Sequence, residues 1–167
     1  MHGSWMHIVG NMWFLWIFGD NIEDRLGHVR FAIFYLLCGI GAALIQVMFH
    51  SASRIPMVGA SGAISGVLGA YLVSYPTARI YTLFIFFFLI RFVDVPAFVF
   101  LLLWLIFQLI SGAAELSAAQ ETGGVAYWAH MGGFVVGIFL LWLMRTNPAH
   151  KTPTWEDRGS LKVFTRW

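Results

Sequence analysis

Four uncharged stretches constrain this chain more than anything else in it. Residues 31–49, 55–73, 95–112 and 125–144 form apolar runs of 18 to 20 residues with almost no charge. About 20 apolar residues span the roughly 30 Å hydrocarbon core of a bilayer as a helix. A fifth run, 5–18, is shorter and carries His7 and Asn11. Charged residues make up only 11% of the chain, against about 25% in an average soluble domain. A soluble all-α protein with buried core helices is the alternative, and the scarcity of charge weighs against it. The expectation is an all-α, polytopic membrane protein of about five transmembrane helices. It forms one domain over 1–146, with a polar cytoplasmic tail over 147–167. The helices are expected at about 4–19, 31–49, 61–75, 95–112 and 126–145. The run 80–90 is too short to span and is closed by Arg91, Asp94 and Pro96. It reads as an interfacial hairpin or short strand pair. The single cysteine, Cys38, lies inside an apolar run and reads as a packing residue.

The charges then orient the bundle. Strict alternation of five spans places Arg25, Arg30, Arg79, Arg91, Arg145, Lys151, Arg158, Lys162 and Arg166 on one side. Arg54 is alone on the other, with Glu115 and Glu121. Basic residues in short loops mark the cytoplasmic side. A cytoplasmic C-terminus in a cytoplasmic (inner) membrane follows, with the 50–60 and 113–126 loops outside. Five spans then start the chain outside, so at least one upstream helix is expected to be missing from it.

Polar groups inside a membrane span are expensive and are functional candidates by default. Three places qualify. His7 and Asn11 are spaced i, i+4 and share a helix face; interhelical hydrogen bonding is the plainer reading of that pair. Ser61, in Gly59-Ala60-Ser61-Gly62, opens an apolar helix and suits an N-cap. The 15 residues from Ser61 to Tyr75 rise only about 22 Å. That helix therefore starts below the membrane surface, where irregular backbone must line protein or a wet cavity. Its free N–H groups and positive dipole end suit a developing oxyanion. Gly62, Gly66 and Ala70 also recur every four residues, as in a close-packing face. Ala63 breaks the G-x-S-x-G elbow of soluble hydrolases. The third place is His130 in Ala129-His130-Met131-Gly132-Gly133, with Gly133 and Gly137 one turn apart. A lone histidine near a helix end is, taken alone, more often a hydrogen-bonding residue than a base.

Together, a hydroxyl, an imidazole, two further donors and a helix N-terminus in the outer layer make the parts list for acyl transfer. No carboxylate falls in that layer, so a Ser–His dyad is the consistent form. His2, His7 and His130 lack the carboxylate or cysteine partners of a metal site. A small transporter with a broken helix at Ser61 is a further reading, without the paired repeats such folds often show.

The order His2-x4-His7-x3-Asn11, Gly59-Ala60-Ser61-Gly62 and Ala129-His130-x2-Gly133-x3-Gly137 resembles the rhomboid proteases, as does Asp24-Arg25-Leu26-Gly27 after the first helix. The resemblance covers roughly 1–145. It implies a compact bundle with a water-filled site open to the extracytoplasmic side. It implies Ser61 as nucleophile, His130 as base, and His7, Asn11 and the Ser61 N–H as oxyanion donors. His2, Gly59, Gly62, Gly133 and Gly137 would support them. The implied substrates are single-span transmembrane proteins cut in or near the lipid bilayer, with no cofactor, metal or nucleic acid. A non-catalytic rhomboid-fold protein that binds membrane helices is the alternative, and the presence of both Ser61 and His130 argues against it. Two departures from the family pattern stand out. The family core has six helices and this chain shows five. Some members also place an aromatic four residues after the nucleophile to pack on the histidine, where this chain has Ser65. The Ser65 hydroxyl is then expected to bond a carbonyl of its own helix, and His130 must be oriented by something else.

Overall fold

A computed structural model describes residues 5–49, 60–86, 88–117 and 126–144. Among these lie α1 (Trp5–Leu26), α2 (His28–Phe49), α3 (Ser61–Ser74), β1 (Arg79–Phe86), β2 (Leu89–Pro96), α4 (Ala97–Ser117) and α5 (Tyr127–Met144). The polar tail, His2 and Gly59 fall outside the described residues. The helical bundle matches the expected class. Among the described residues, α2, α5 and the 97–114 part of α4 are long and apolar enough to cross a membrane. The outward sides of these helices expose Leu36, Ile40, Leu44, Phe107, Phe139 and Trp142, as a lipid-facing surface should.

The first helix runs further than the sequence suggested. Its expected end near residue 19 was set by the onset of charge at Asp20. The helix instead continues to Leu26, because Phe18, Ile22 and Leu26 carry a buried stripe at i, i+4 spacing past the charged residues. Arg25 therefore sits in the last turn of α1 and Arg30 in the first turns of α2, not in a loop. The connection is Gly27 alone, with φ +80. Glycine adopts this left-handed conformation without steric cost and commonly ends helices. The Gly27 N–H donates to the Glu23 carbonyl at 2.6 Å and its own carbonyl accepts from Phe31 N–H at 2.9 Å.

Helix α3 is the centre of the bundle. Every residue from Gly62 to Tyr71 is buried, and the helix packs against α5, α2 and α1. Its 14 residues rise about 21 Å, short of a membrane core, as its sequence implied. Glycines decide how closely it is approached. A methyl group at Gly133 would strike the Gly62 carbonyl, and one at Gly137 the Gly66 carbonyl. On the facing side, a methyl at Gly66 would strike the sulfur of Cys38, which is free and fully buried. Cys38 is thus a packing residue, as read. Helix α2 meets α5 similarly, with Ile45 where a Gly132 side chain would be.

At the other end of α3, Tyr75 donates its hydroxyl hydrogen to the Asn21 carbonyl at 3.1 Å, and Phe18 meets Tyr71 edge-on at 4.9 Å. The chain then forms the expected hairpin, longer than 80–90. β1 and β2 pair antiparallel from Arg79↔Pro96 to Phe86↔Leu89. Helix α4 consequently begins at Ala97 rather than 95, since Val95 and Pro96 belong to the ladder. Its first N–H groups donate back to the α3–β1 turn, Ala97 to Ala78 at 2.7 Å and Phe98 to Pro76 at 3.2 Å. Phe88, at the hairpin tip, is 99% exposed.

Gly137→Ala is expected to destabilise the bundle by at least the ~1–3 kcal/mol typical of overpacking, because the added methyl meets backbone that has no rotamer to escape into. Gly10, in α1, has nothing within 4 Å of an added methyl. Gly10→Ala should be neutral or stabilising by up to about 1 kcal/mol. Unfolding in mixed detergent micelles, followed by tryptophan fluorescence, separates the two variants.

Candidate active site

The close α3–α5 crossing brings two of the expected residues into contact. Ser61 Oγ lies 2.8 Å from His130 Nε2. Ser61 is the first residue of α3, but it is not the cap. Ala60 takes that position with no side-chain capping bond, so the expected N-cap role of Ser61 is corrected. Its hydroxyl is committed to the imidazole instead. The N–H groups in the first turn of α3, where Ser61 stands, lack acceptors within the helix, as at any helix N-terminus.

The other face of the histidine holds a residue that the sequence reading passed over. His130 Nδ1 lies 2.8 Å from Gln108 Oε1. Both side chains are inside the bundle, with His130 8% and Gln108 5% exposed. An amide oxygen only accepts, so this contact suits the tautomer with hydrogen on Nδ1, which leaves Nε2 a lone pair for the serine hydroxyl. Trp104 lies one turn before Gln108 on α4, and its ring centre is 5.9 Å from that of His130 at 36°. Ser65 donates to the Ser61 carbonyl at 2.8 Å, the local bond expected of it. Trp128, two residues before the histidine, stacks flat on Phe49 at 4.0 Å and 8°. Gln46 of α2 accepts from the Ala129 N–H at 2.8 Å, which fixes the first turn of α5 beside His130.

The α1 pair is positioned as follows. His7 is half-buried and stands within electrostatic reach of His130. Asn11, one turn along the same face, is 8% exposed, and its amide nitrogen has no hydrogen-bond partner. A buried amide donor without an acceptor is costly in a folded protein. Gly62, Gly133 and Gly137 act through packing. His2 and Gly59 lie outside the described residues.

Gln108 and Gln46 carried a signal in the sequence. Each is a strongly polar amide within an apolar run, and the cost of polarity in a span applies to both. They were passed over because the runs were screened for charge and for spaced pairs, and glutamine has neither. Trp104 has no signal of its own in a chain with 8 tryptophans.

A polytopic helical membrane bundle with a serine hydrogen-bonded to a histidine at its buried centre defines the class. The family model described as Rhomboid domain matches residues 1–147, and the chain belongs to the rhomboid family. It is 30% identical to Rhomboid protein 1, mitochondrial, of Saccharomyces cerevisiae over 99% of this chain and 44% of that protein. It is 29% identical to RHOMBOID-like protein 5 of Arabidopsis thaliana over 90% of this chain and 43% of that one. It is also 29% identical to the Presenilin-associated rhomboid-like protein, mitochondrial, of Bos taurus, over 84% and 35%. The chain thus spans about half or less of the length of these curated relatives. No solved structure gives a significant match. The protein is an integral membrane protein of this family.

Gln46→Leu removes the acceptor for a buried N–H at the start of α5. It should lower stability by about 1–3 kcal/mol, whereas Gln46→Glu, which keeps an acceptor, should lose less. Thermal unfolding in detergent decides it.

Proposed function

We propose that the chain is an intramembrane serine endopeptidase that hydrolyses peptide bonds of single-span transmembrane proteins through Ser61 and His130. The observation that carries this reading is the 2.8 Å contact between Ser61 Oγ and His130 Nε2, at the start of a helix. His130 Nε2 takes the serine proton as Oγ attacks the scissile carbonyl carbon. The carbonyl oxygen becomes an oxyanion and is met by the Ser61 N–H, the Asn11 amide and His7. The tetrahedral intermediate collapses, the C–N bond breaks, and His130 gives its proton to the leaving amine. Water, deprotonated by the same nitrogen, then attacks the acyl-enzyme carbonyl and restores Ser61. Family membership supports this chemistry, and the intact pair in contact favours it over a non-catalytic binding role.

Substrates enter from the bilayer, and the site opens to the side opposite the basic connections. Arg79 and Arg91 of the hairpin mark the cytoplasmic face, or its equivalent in an organelle, where the names of the yeast and bovine relatives place those proteins.

The direct test is covalent labelling by a fluorophosphonate probe in detergent and in liposomes. The chain should label, Ser61→Ala should abolish labelling, and His130→Ala should slow it by about 10³-fold or more. Cleavage of a transmembrane substrate should follow the same pattern. Equal labelling of all three proteins, or none in a version extended upstream, would overturn the peptidase reading. Orientation has its own test. In a Cys38→Ala background, Phe88→Cys should react with an impermeant maleimide only from the cytoplasmic face; reaction from the opposite face alone would invert the assignment.

A further inference from the structure

A Ser–His pair works as a nucleophile and base only if the imidazole presents a lone pair to the hydroxyl. A neutral histidine can carry its proton on either nitrogen, and the partner of the far nitrogen decides which. In soluble serine hydrolases a buried carboxylate fills that place. Here the place holds Gln108, whose Oε1 is 2.8 Å from His130 Nδ1. The groups in contact with this ring are Ser61 from α3 and Gln108 and Trp104 from α4, and the titratable group facing it from α1 is His7, at electrostatic range. From α2, Gln46 reaches the residue before it. Ser65, at the position where an aromatic wall would stand, is turned onto the Ser61 carbonyl. One face of α4 therefore supplies both what holds the ring in plane and what holds its proton.

We propose that Gln108 is the positioning residue of the hydrolase site. It fixes His130 as the Nδ1–H tautomer, with Trp104 bracing the ring, and so makes the pair a Ser–His–Gln relay. The proposal rests on the peptidase reading above. An uncharged acceptor imposes the tautomer wherever the ring is neutral and adds no charge to stabilise the imidazolium. Gln108 also differs from a residue that merely fills space, because its oxygen and not its volume is what acts.

The test compares Gln108→Leu, which keeps bulk and removes the acceptor, with Gln108→Glu, which keeps an acceptor and adds charge. Two readouts are used, both on the whole 167-residue chain in detergent. The first is the second-order rate of fluorophosphonate labelling per active-site-titrated molecule, measured across pH. Gln108→Leu should slow it by about 10- to 100-fold, in the range of a lost outer partner, and well short of the ~10⁴-fold loss seen when a triad carboxylate is replaced. Gln108→Glu should recover most of the rate. Its profile should rise at higher pH than the parent's, because a carboxylate facing Nδ1–H favours the protonated ring and the base acts only when neutral. The second readout is the pair of ¹⁵N chemical shifts of His130, which needs no activity. The parent should show a protonated Nδ1 and an unprotonated Nε2, and Gln108→Leu should lose that uniform state. A parent with its proton on Nε2, or a Leu variant with unchanged rate per titrated site and unchanged shifts, would overturn the role of Gln108. In the second of these cases the peptidase reading stands. If the parent fails to label at all, the peptidase reading falls by itself, and the shifts alone decide whether Gln108 sets the tautomer.

Discussion

The approach of α5 to α3 controls the rest of this molecule. In lipid, apolar side chains gain little from meeting one another, because the tails around them are just as apolar. Helices associate instead through close van der Waals packing and interhelical hydrogen bonds. At Gly133 and Gly137 the carbonyls of Gly62 and Gly66 fill the space a side chain would need. The two backbones meet directly along a full turn. Ser61 is one residue before Gly62, and His130 is three before Gly133. The pairing register that satisfies the glycines therefore sets the serine and the histidine opposite one another. The plain reading of the glycines as packing residues and the functional reading of the serine and histidine describe a single contact.

The same packing accounts for a polar centre inside an apolar bundle. A hydroxyl, an imidazole and two amides in hydrocarbon are tolerated only when they satisfy one another or a cavity. Ser61, His130 and Gln108 form a continuous chain of such bonds. Gln46 closes off one N–H of α5, and Ser65 folds back on its own helix. Among the described residues, the Asn11 amide nitrogen, the Ser74 hydroxyl and the Trp128 indole nitrogen are buried without a partner. On the peptidase reading proposed above, the free Asn11 donor is the one kept for the transition state.

Much of this was legible in the sequence, and for identifiable reasons. Long apolar runs have few interpretations, so the bundle and the short central helix followed from length alone. Ser61 and His130 stood out because each is a polar group where an apolar span makes polarity expensive, and the glycines beside them read as packing residues. The end of α1 was misplaced because charge was taken as a stop signal, whereas the helix ends where its buried stripe ends, at Leu26, and where Gly27 can turn. The start of α4 was misplaced because Val95 looks equally good in a strand or a span, and only its pairing with Ile80 separates the two. Gln108 was missed for a different reason. It lies 22 residues before His130 on another helix, and no local pattern links them. The absent aromatic at Ser65 did signal that an orienting group was needed, but it gave no direction.

That the orienting group is an amide follows from where the site is. In a soluble enzyme a carboxylate next to the imidazole is ionised at modest cost, because water and backbone dipoles surround it. At the depth of His130 an isolated carboxylate would pay several kcal/mol of desolvation. Glutamine offers an oxygen at the same reach with no charge to desolvate, and its acceptor does not vanish with pH. The carboxylates whose side chains are described, Asp20, Glu23, Asp24 and Asp94, lie instead on the C-terminal half of α1 and on the hairpin. The electrostatic help that a carboxylate gives an imidazolium is thereby lost. In the peptidase reading proposed above, more of the catalytic burden falls on the N–H groups of α3 and on the donors of α1, and the α3–α5 glycines hold the first of these sets in place.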